Sequence, residues 1–161
     1  MRRGFLLLIL SFWTTAVWAR LDVVCNEQNC LQSGWKAYDS FGTSFDIQCI
    51  NEECSQYGWI ESSSAGLTKR YECLQGQCFQ YGYDVINEKT KKVIQQVRCQ
   101  NNDCAHQGWT QAKDQFLKMN VVCESADCFR YGWKAHFAGR VMHAISCLRE
   151  SCYTYGWTQE P

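Results

Sequence analysis

The residues best suited to chemistry in this 161-residue chain are its twelve cysteines, and they come in pairs. Cys25/Cys30, Cys49/Cys54, Cys73/Cys78, Cys99/Cys104, Cys123/Cys128 and Cys147/Cys152 each stand five apart, and a glycine follows each pair four residues on. Thiols so placed could hold zinc, exchange electrons or form staples. Zinc favours four thiolates in a tetrahedron, which two neighbouring pairs could supply, but the spacing lies at the edge of the knuckle range and the thiols would have to stay reduced. Dithiol enzymes use C-x-x-C, with a helix N-terminus that lowers one thiol's pKa, and they need one reactive pair rather than six interchangeable ones. The expectation is therefore structural disulfides at all twelve positions, with no metal and no cofactor. A thiolate metal-binding protein stands as a further alternative.

The start of the chain bears on that choice. MRRGFLLLILSFWTTAVWA has Arg2 and Arg3, an apolar run from Phe5 to Leu10, and small residues at Val17 and Ala19. That is the layout of a secretory signal peptide, with cleavage expected after Ala19 and residues 20–161 left as one domain. The run is broken by Ser11, Thr14 and Thr15 and is shorter than the roughly 20 residues of a spanning helix. A twin-arginine export signal is the poorer fit, because that route carries a folded and still reduced protein. An exported chain with an even, dense cysteine set is a disulfide scaffold by default. Loss of Arg2 and Arg3 would leave 14 Lys+Arg against 16 Asp+Glu, a net charge near minus two. Such a balance gives no overall electrostatic footprint for nucleic acid or for anionic lipid.

The pairs also set the organisation. Each belongs to a repeat C-x4-C-x3-G followed by an aromatic, with Trp35, Trp59, Tyr83, Trp109, Trp133 and Trp157 in that last position. Starts lie 24 residues apart, except for 26 in the third interval. Two positions ahead of each first cysteine stand Val23, Ile47, Tyr71, Val97, Val121 and Ile145, flanked by polar residues such as Asp22, Asp46 and Arg98. This period-two alternation predicts a strand running into each pair, and the stretches after each Gly-aromatic predict a second strand that ends in a turn such as Ala65-Gly66 or Ala138-Gly139. A fully helical connector would hold its two cysteines about 8–9 Å apart, too far for a bond that wants Cα atoms about 4.4–6.8 Å apart. Either the connector is a tight irregular loop closed by its own disulfide, or it is helical and bridges to a neighbour; local pairing is the preferred expectation.

The fold class expected is all-β: six hairpin repeats of about 24 residues, pseudo-sixfold and disulfide-rich. RLDVVC reads as the second strand of a hairpin and GWTQEP as the first, so pairing of these terminal strands would close or nearly close the ring. A strict up-and-down barrel of twelve strands would have a wide lumen and few large apolar residues to fill it, which favours a flattened barrel or radial sheets.

Functional signals beyond the cysteines are few. His106, His136 and His143 share no repeat position and read as surface or loosely packed residues. The connector acids Glu27, Glu52, Glu53, Asp103, Glu124, Asp127 and Glu150 read as solvated loop residues, and no nucleophile or phosphate-loop motif is present. The Gly-aromatic series reads first as packing on the disulfides, and second as a ligand-binding ladder in Trp35, Trp59, Tyr83, Trp109, Trp133 and Trp157. In the Gly-Trp pair and the hairpin length these units resemble the choline-binding repeats of bacterial cell-wall proteins. They lack the later aromatic cluster of those repeats and add cysteines. The functional expectation is an exported, non-catalytic structural or protein-interaction module, secreted or periplasmic, with an unknown protein or glycan partner. A lectin-like glycan- or envelope-binding module is the alternative, and no nucleic acid binding or membrane insertion is expected.

Overall fold

The structure, a computed structural model, describes residues 20–113 and 117–161; the expected signal segment lies outside the described residues. The chain forms twelve antiparallel strands: β1 (Leu21–Cys25), β2 (Trp35–Asp39), β3 (Ser44–Cys49), β4 (Trp59–Ser63), β5 (Thr68–Cys73), β6 (Gly82–Asn87), β7 (Lys92–Cys99), β8 (Trp109–Lys113), β9 (Leu117–Cys123), β10 (Gly132–Phe137), β11 (Arg140–Cys147) and β12 (Trp157–Glu160). Each pairs with its sequence neighbours, and β1 pairs with β12, so the sheet is a closed barrel. The six-repeat, closed all-β expectation is met, but the preference against a strict up-and-down barrel is corrected: the strands follow one another round a single up-and-down barrel.

All six disulfides are local, with Cα–Cα distances of 4.4–4.7 Å. Cys73–Cys78 and Cys123–Cys128 are the closest, both at 4.4 Å. The connector manages this by not being one helix. In the second repeat Ile50–Glu52 form a tight turn with Asn51 and Glu52 both at positive φ, the signature of a type I′ turn. The chain then enters a single helical turn, Cys54–Tyr57, which begins at the second cysteine and ends at Gly58. Cys78 and Cys128 open the same helical turn in their repeats, Cys78–Tyr81 and Cys128–Tyr131. Ile50 N–H donates to the Gly58 carbonyl at 3.0 Å, so the connector closes on itself beside the disulfide. Equivalent bonds run from Asn26, Gln100 and Leu148 to Gly34, Gly108 and Gly156.

The glycine is the point where repeats meet. Gly58 sits at φ +86, and a Cβ there would stand 1.8 Å from the Tyr71 carbonyl oxygen of the next odd strand. Five other glycines have the same relation, and Gly156 makes it to Val23, across the seam where the chain's two ends meet. The Cys49 sulfur lies 3.3 Å from the Leu31 carbonyl oxygen of the preceding repeat, and Cys25 lies 3.4 Å from that of Tyr153. A disulfide sulfur carries no hydrogen, so these are close packing contacts. Six connectors thus lock in a ring at one end, and hairpin turns crown the other.

Register advances two residues per repeat, because Ile47 faces Trp35 across one hairpin and Glu61 across the connector. The two extra residues of the third interval lie in the wider turn between Asn87 and Lys92. Inward positions carry the core, while Asp22, Lys36, Asp46, Arg70, Glu72 and Lys134 alternate with them and face out. The strands are four to eight residues long, shorter than the about 9–11 residues of a strand that crosses lipid, and their outer faces carry charged side chains.

Gly58→Ala is expected to cost about 3 kcal/mol or more, from left-handed strain and the carbonyl clash. Gly66→Ala, at φ +82 in open space, is expected to cost only about 1 kcal/mol; urea unfolding compares the two. Removing one short-loop disulfide by Cys54→Ser is expected to cost about 2 kcal/mol and to leave Cys49 as a free thiol open to alkylation.

Candidate functional site

The six aromatics after the glycines converge inside the barrel. Each stands beside the first cysteine of its repeat, as Trp35 does with Cys25, and faces a partner such as Ile47 on the other side. Their rings meet one another: Trp35–Trp59 at 5.6 Å, Trp59–Tyr83 at 5.0 Å, Trp109–Trp133 at 5.2 Å, Trp133–Trp157 at 6.4 Å and Trp157–Trp35 at 5.6 Å. They cover the disulfides, as expected, and they also fill the lumen whose width argued against a simple barrel. Below them, on the connector side, Phe79, Phe129 and Tyr153 form a second cluster with centroids 4.6–5.6 Å apart. These residues follow the second cysteine in their repeats, a recurrence visible in the sequence without its meaning.

The aromatic ring divides the lumen in two. The lower chamber, about 120 Å³, lies between the ring and the Phe79–Phe129–Tyr153 plug and is lined almost wholly by apolar groups. The Tyr153 hydroxyl is shielded from solvent there, without a hydrogen-bond partner among the described residues. Burial holds its pKa well above the usual 10.0.

The cysteines, which head the sequence candidates, enter these chambers unequally. Cys30, Cys104 and Cys152 reach the wall of the lower chamber, and no cysteine among the described residues lines the upper one. Cys78 and Cys128 form the local structural disulfides expected of them: both are wholly buried, and neither lines either chamber. The reason is packing. Cys78 belongs to the core that includes Phe79 and Tyr83, and Cys128 to the core that includes Phe129 and Trp133. Bonded to Cys73 and Cys123 and closed off from solvent, they serve the fold alone, as Cys54 does.

The upper chamber is a cup of about 530 Å³, open at the hairpin end. Its floor is the aromatic ring and its lower wall is Val23, Ile47 and Ile145. Higher up, Leu21, Ala37 and Phe45 make one side apolar, while Glu61, Lys69, Tyr71, Gln95, Gln111, His143 and Gln159 supply polar groups elsewhere. Here the sixfold pattern breaks. Glu61 occupies a strand position filled by Ala37, Val85, Gln111, Ala135 and Gln159 in the other repeats. Tyr71 replaces the β-branched residue that other odd strands place at that level, and Tyr83 replaces a tryptophan.

These departures are neighbours on β4, β5 and β6. Lys69 Nζ lies 2.7 Å from Glu61 Oε1, and the Tyr71 hydroxyl donates to Glu61 Oε2 at 2.6 Å. The Tyr71 ring stacks on Trp59 at 4.7 Å. Burial first, and then the Glu61 carboxylate, raise the pKa of Tyr71 well above the usual 10.0, and Tyr83 is raised for the same two reasons. Both phenols remain neutral donors at any physiological pH. Six strands away, across the mouth, His143 occupies the position that matches Lys69, and burial lowers its pKa.

Among the sequence candidates, all six Gly-linked aromatics come together, and His143, half-buried, lines the cup as well. His106 stays at the surface beside Asp103, and His136 lies outside the cup. Glu61, Lys69 and Tyr71 were not singled out in the sequence. Comparing the six copies position by position would have marked Glu61 and Tyr71 as exceptions.

His143 supplies a test of the cup's interior. Because burial lowers its pKa below the usual 6.5, the unfolded chain binds a proton that the folded chain resists. Its contribution to stability is therefore complete above about pH 6.5 and declines as the pH falls toward the lowered value. The melting temperature is expected to fall between about pH 7 and pH 5, and His143→Gln is expected to flatten that slope.

Comparison of the chain with protein-family models, with curated proteins and with solved structures finds no match.

Proposed function

We propose that this protein is an exported, non-catalytic binding module that takes the end of a glycan, about one or two sugar units, into the cup of the barrel. The supporting observation is the stacking of two kinds of surface. An aromatic floor lies beneath a tier of planar or charged polar side chains, within a cup whose volume of about 530 Å³ suits a small ligand. A sugar ring offers an apolar C–H face that packs on an indole and a rim of hydroxyls that both donate and accept. Gln95, Gln111 and Gln159 donate and accept in the same way, and the Glu61–Lys69 pair adds one acceptor and one donor.

Glycoside hydrolysis ordinarily needs two flanking carboxylates, whereas Glu61 is the one carboxylate lining the cup among the described residues and is already engaged by Lys69 and Tyr71. Binding without turnover fits that arrangement better. Six disulfides are consistent with an oxidising extracellular environment, and the signal-like N-terminus supports export. The cup takes precedence over the outer surface of the connectors as the binding site because it is where the repeats stop being alike.

The test is tryptophan fluorescence titration with a panel of disaccharides: cellobiose, maltose, lactose and N,N′-diacetylchitobiose. At least one is expected to quench and blue-shift emission in the millimolar range or below. Gln111→Trp, which narrows the cup at a partly exposed position, is expected to weaken that response at least about tenfold while the disulfides stay intact. No response across the panel, with the ring tryptophans shielded from acrylamide, would overturn the reading.

A further inference from the structure

The net charge of the chain conceals how its charges are placed. The hairpin end carries the exposed side chains of Lys89, Lys91, Lys92, Lys113, Lys118 and Arg140. The carboxylates at the described hairpin turns are already engaged: Glu88 pairs with Arg70 and Lys91, and Asp39 accepts from the N–H groups of Phe41 and Thr43. At the opposite end the connectors expose Glu27, Glu52 and Glu53, while Glu150 pairs with Arg130 at 3.2 Å and Arg149 stands exposed next to it, so acids still outnumber bases there. The barrel is therefore electrically polar along its axis, basic around the mouth of the cup and acidic at the closed end.

Exposed apolar residues occur at both ends: Tyr57, Tyr131, Leu148 and Tyr155 stand on the connectors, and the crown carries its own set beside its basic residues. Each of the five hairpins places one large apolar side chain in solvent: Phe41 is 66% exposed, Leu67 60%, Val93 50%, Leu117 48% and Val141 50%. Three of them, Val93, Leu117 and Val141, stand next to a lysine or arginine. A ring of apolar tips interleaved with basic residues, on a rim and not in a groove, matches the layered chemistry of a bilayer interface. Apolar tips enter the acyl boundary while ammonium and guanidinium groups meet lipid phosphates.

We propose that the hairpin end docks on anionic phospholipid bilayers, with Val93, Leu117 and Val141 entering the interface and Lys89, Lys91, Lys92, Lys113, Lys118 and Arg140 contacting phosphate. Charge complementarity selects this occupant, because an anionic surface attracts the crown and repels the acidic connector end. Both forces turn the mouth of the cup toward the membrane. The barrel does not insert, since its outer wall carries charges along its strands. The surface is distinct from the cup's floor and does not depend on glycan binding.

The test is co-sedimentation of the disulfide-intact protein with vesicles made of equal parts phosphatidylglycerol and phosphatidylcholine, beside vesicles of phosphatidylcholine alone, without added sugar. Partition onto the anionic vesicles is expected to be at least about tenfold stronger and to weaken steadily with added salt. Combined Lys89→Glu, Lys91→Glu and Lys92→Glu is expected to weaken it at least about tenfold, as is combined Val93→Ser, Leu117→Ser and Val141→Ser. Glu27→Gln with Glu52→Gln, at the far end, is expected to bind at least as well as the unaltered protein. Near-ultraviolet circular dichroism of the aromatic ring reports that the variants remain folded, and the salt titration stands on the unaltered protein alone. Equal partition onto both vesicle types, no partition at low salt, or undiminished binding by the lysine variant would overturn the proposal. So would capture of a protein by this rim in the absence of any lipid binding.

Discussion

A twelve-strand barrel has to be filled from its own wall, and that requirement governs the rest of the molecule. Eight strands leave an interior that ordinary side chains can occupy, while sixteen or more leave a channel. Twelve fall between, and aliphatic residues such as Val23, Ile47, Val97, Val121 and Ile145 line the wall without reaching the axis. The residue after each glycine must therefore be large. Six such side chains, tilted against one another at 5.0–6.4 Å in five neighbouring pairs from Tyr83 round through Trp157 to Trp109, turn an unfillable lumen into a partition. The connectors complete the closure from below, where Phe79, Phe129 and Tyr153 meet on the axis.

Holding those aromatics at one height is the work of the joint. The glycine lets the backbone of one repeat touch the carbonyl of the next at a separation that no Cβ would permit. The I′ turn and the one-turn helix bring the two cysteines within 4.4–4.7 Å, and the disulfide removes the freedom of the loop between them. Each part serves the next: the disulfide sets the turn, the turn sets the glycine, and the glycine delivers the aromatic to the lumen. All twelve cysteines are held in these bonds, and Cys30, Cys54, Cys78 and Cys128 have no solvent exposure. Any pair left open to exchange would release one sixth of the partition.

Much of this was legible in the sequence because sixfold repetition supplies its own alignment. The strands before each pair and the hairpins after it follow from spacing and period, while local pairing and closure between RLDVVC and GWTQEP are preferences there that only the structure decides. Side-chain direction along the axis was harder to read. Alternation places Trp35 and Ile47 on the same face, but only the two-residue register advance brings all six aromatics to one level. The pairing of Glu61 with Lys69 and Tyr71 was hidden for a related reason. The three residues are split between two strands, and their contact depends on register that no short motif announces. The sum of the charges misled in its own way, since lysines on the hairpins and glutamates on the connectors cancel in a total and separate in space.

Symmetry and function divide the chain between them. Positions that repeat faithfully, the cysteines, the glycines and the β-branched residues before them, are those whose replacement would disturb the joint or the ring. Positions free to vary line the cup on many strands, with Gln95, Gln111, His143 and Gln159 spread round it and the one carboxylate among the described lining residues on β4. Tyr71, Tyr83 and Glu61 occupy one sector of the cup, with Lys69 closing the pair and His143 facing them across the mouth. On three adjacent strands they set a carboxylate satisfied on both oxygens beside two phenols held neutral by burial, so that one wall of the cup differs in chemistry from the aliphatic wall of Leu21, Ala37 and Phe45.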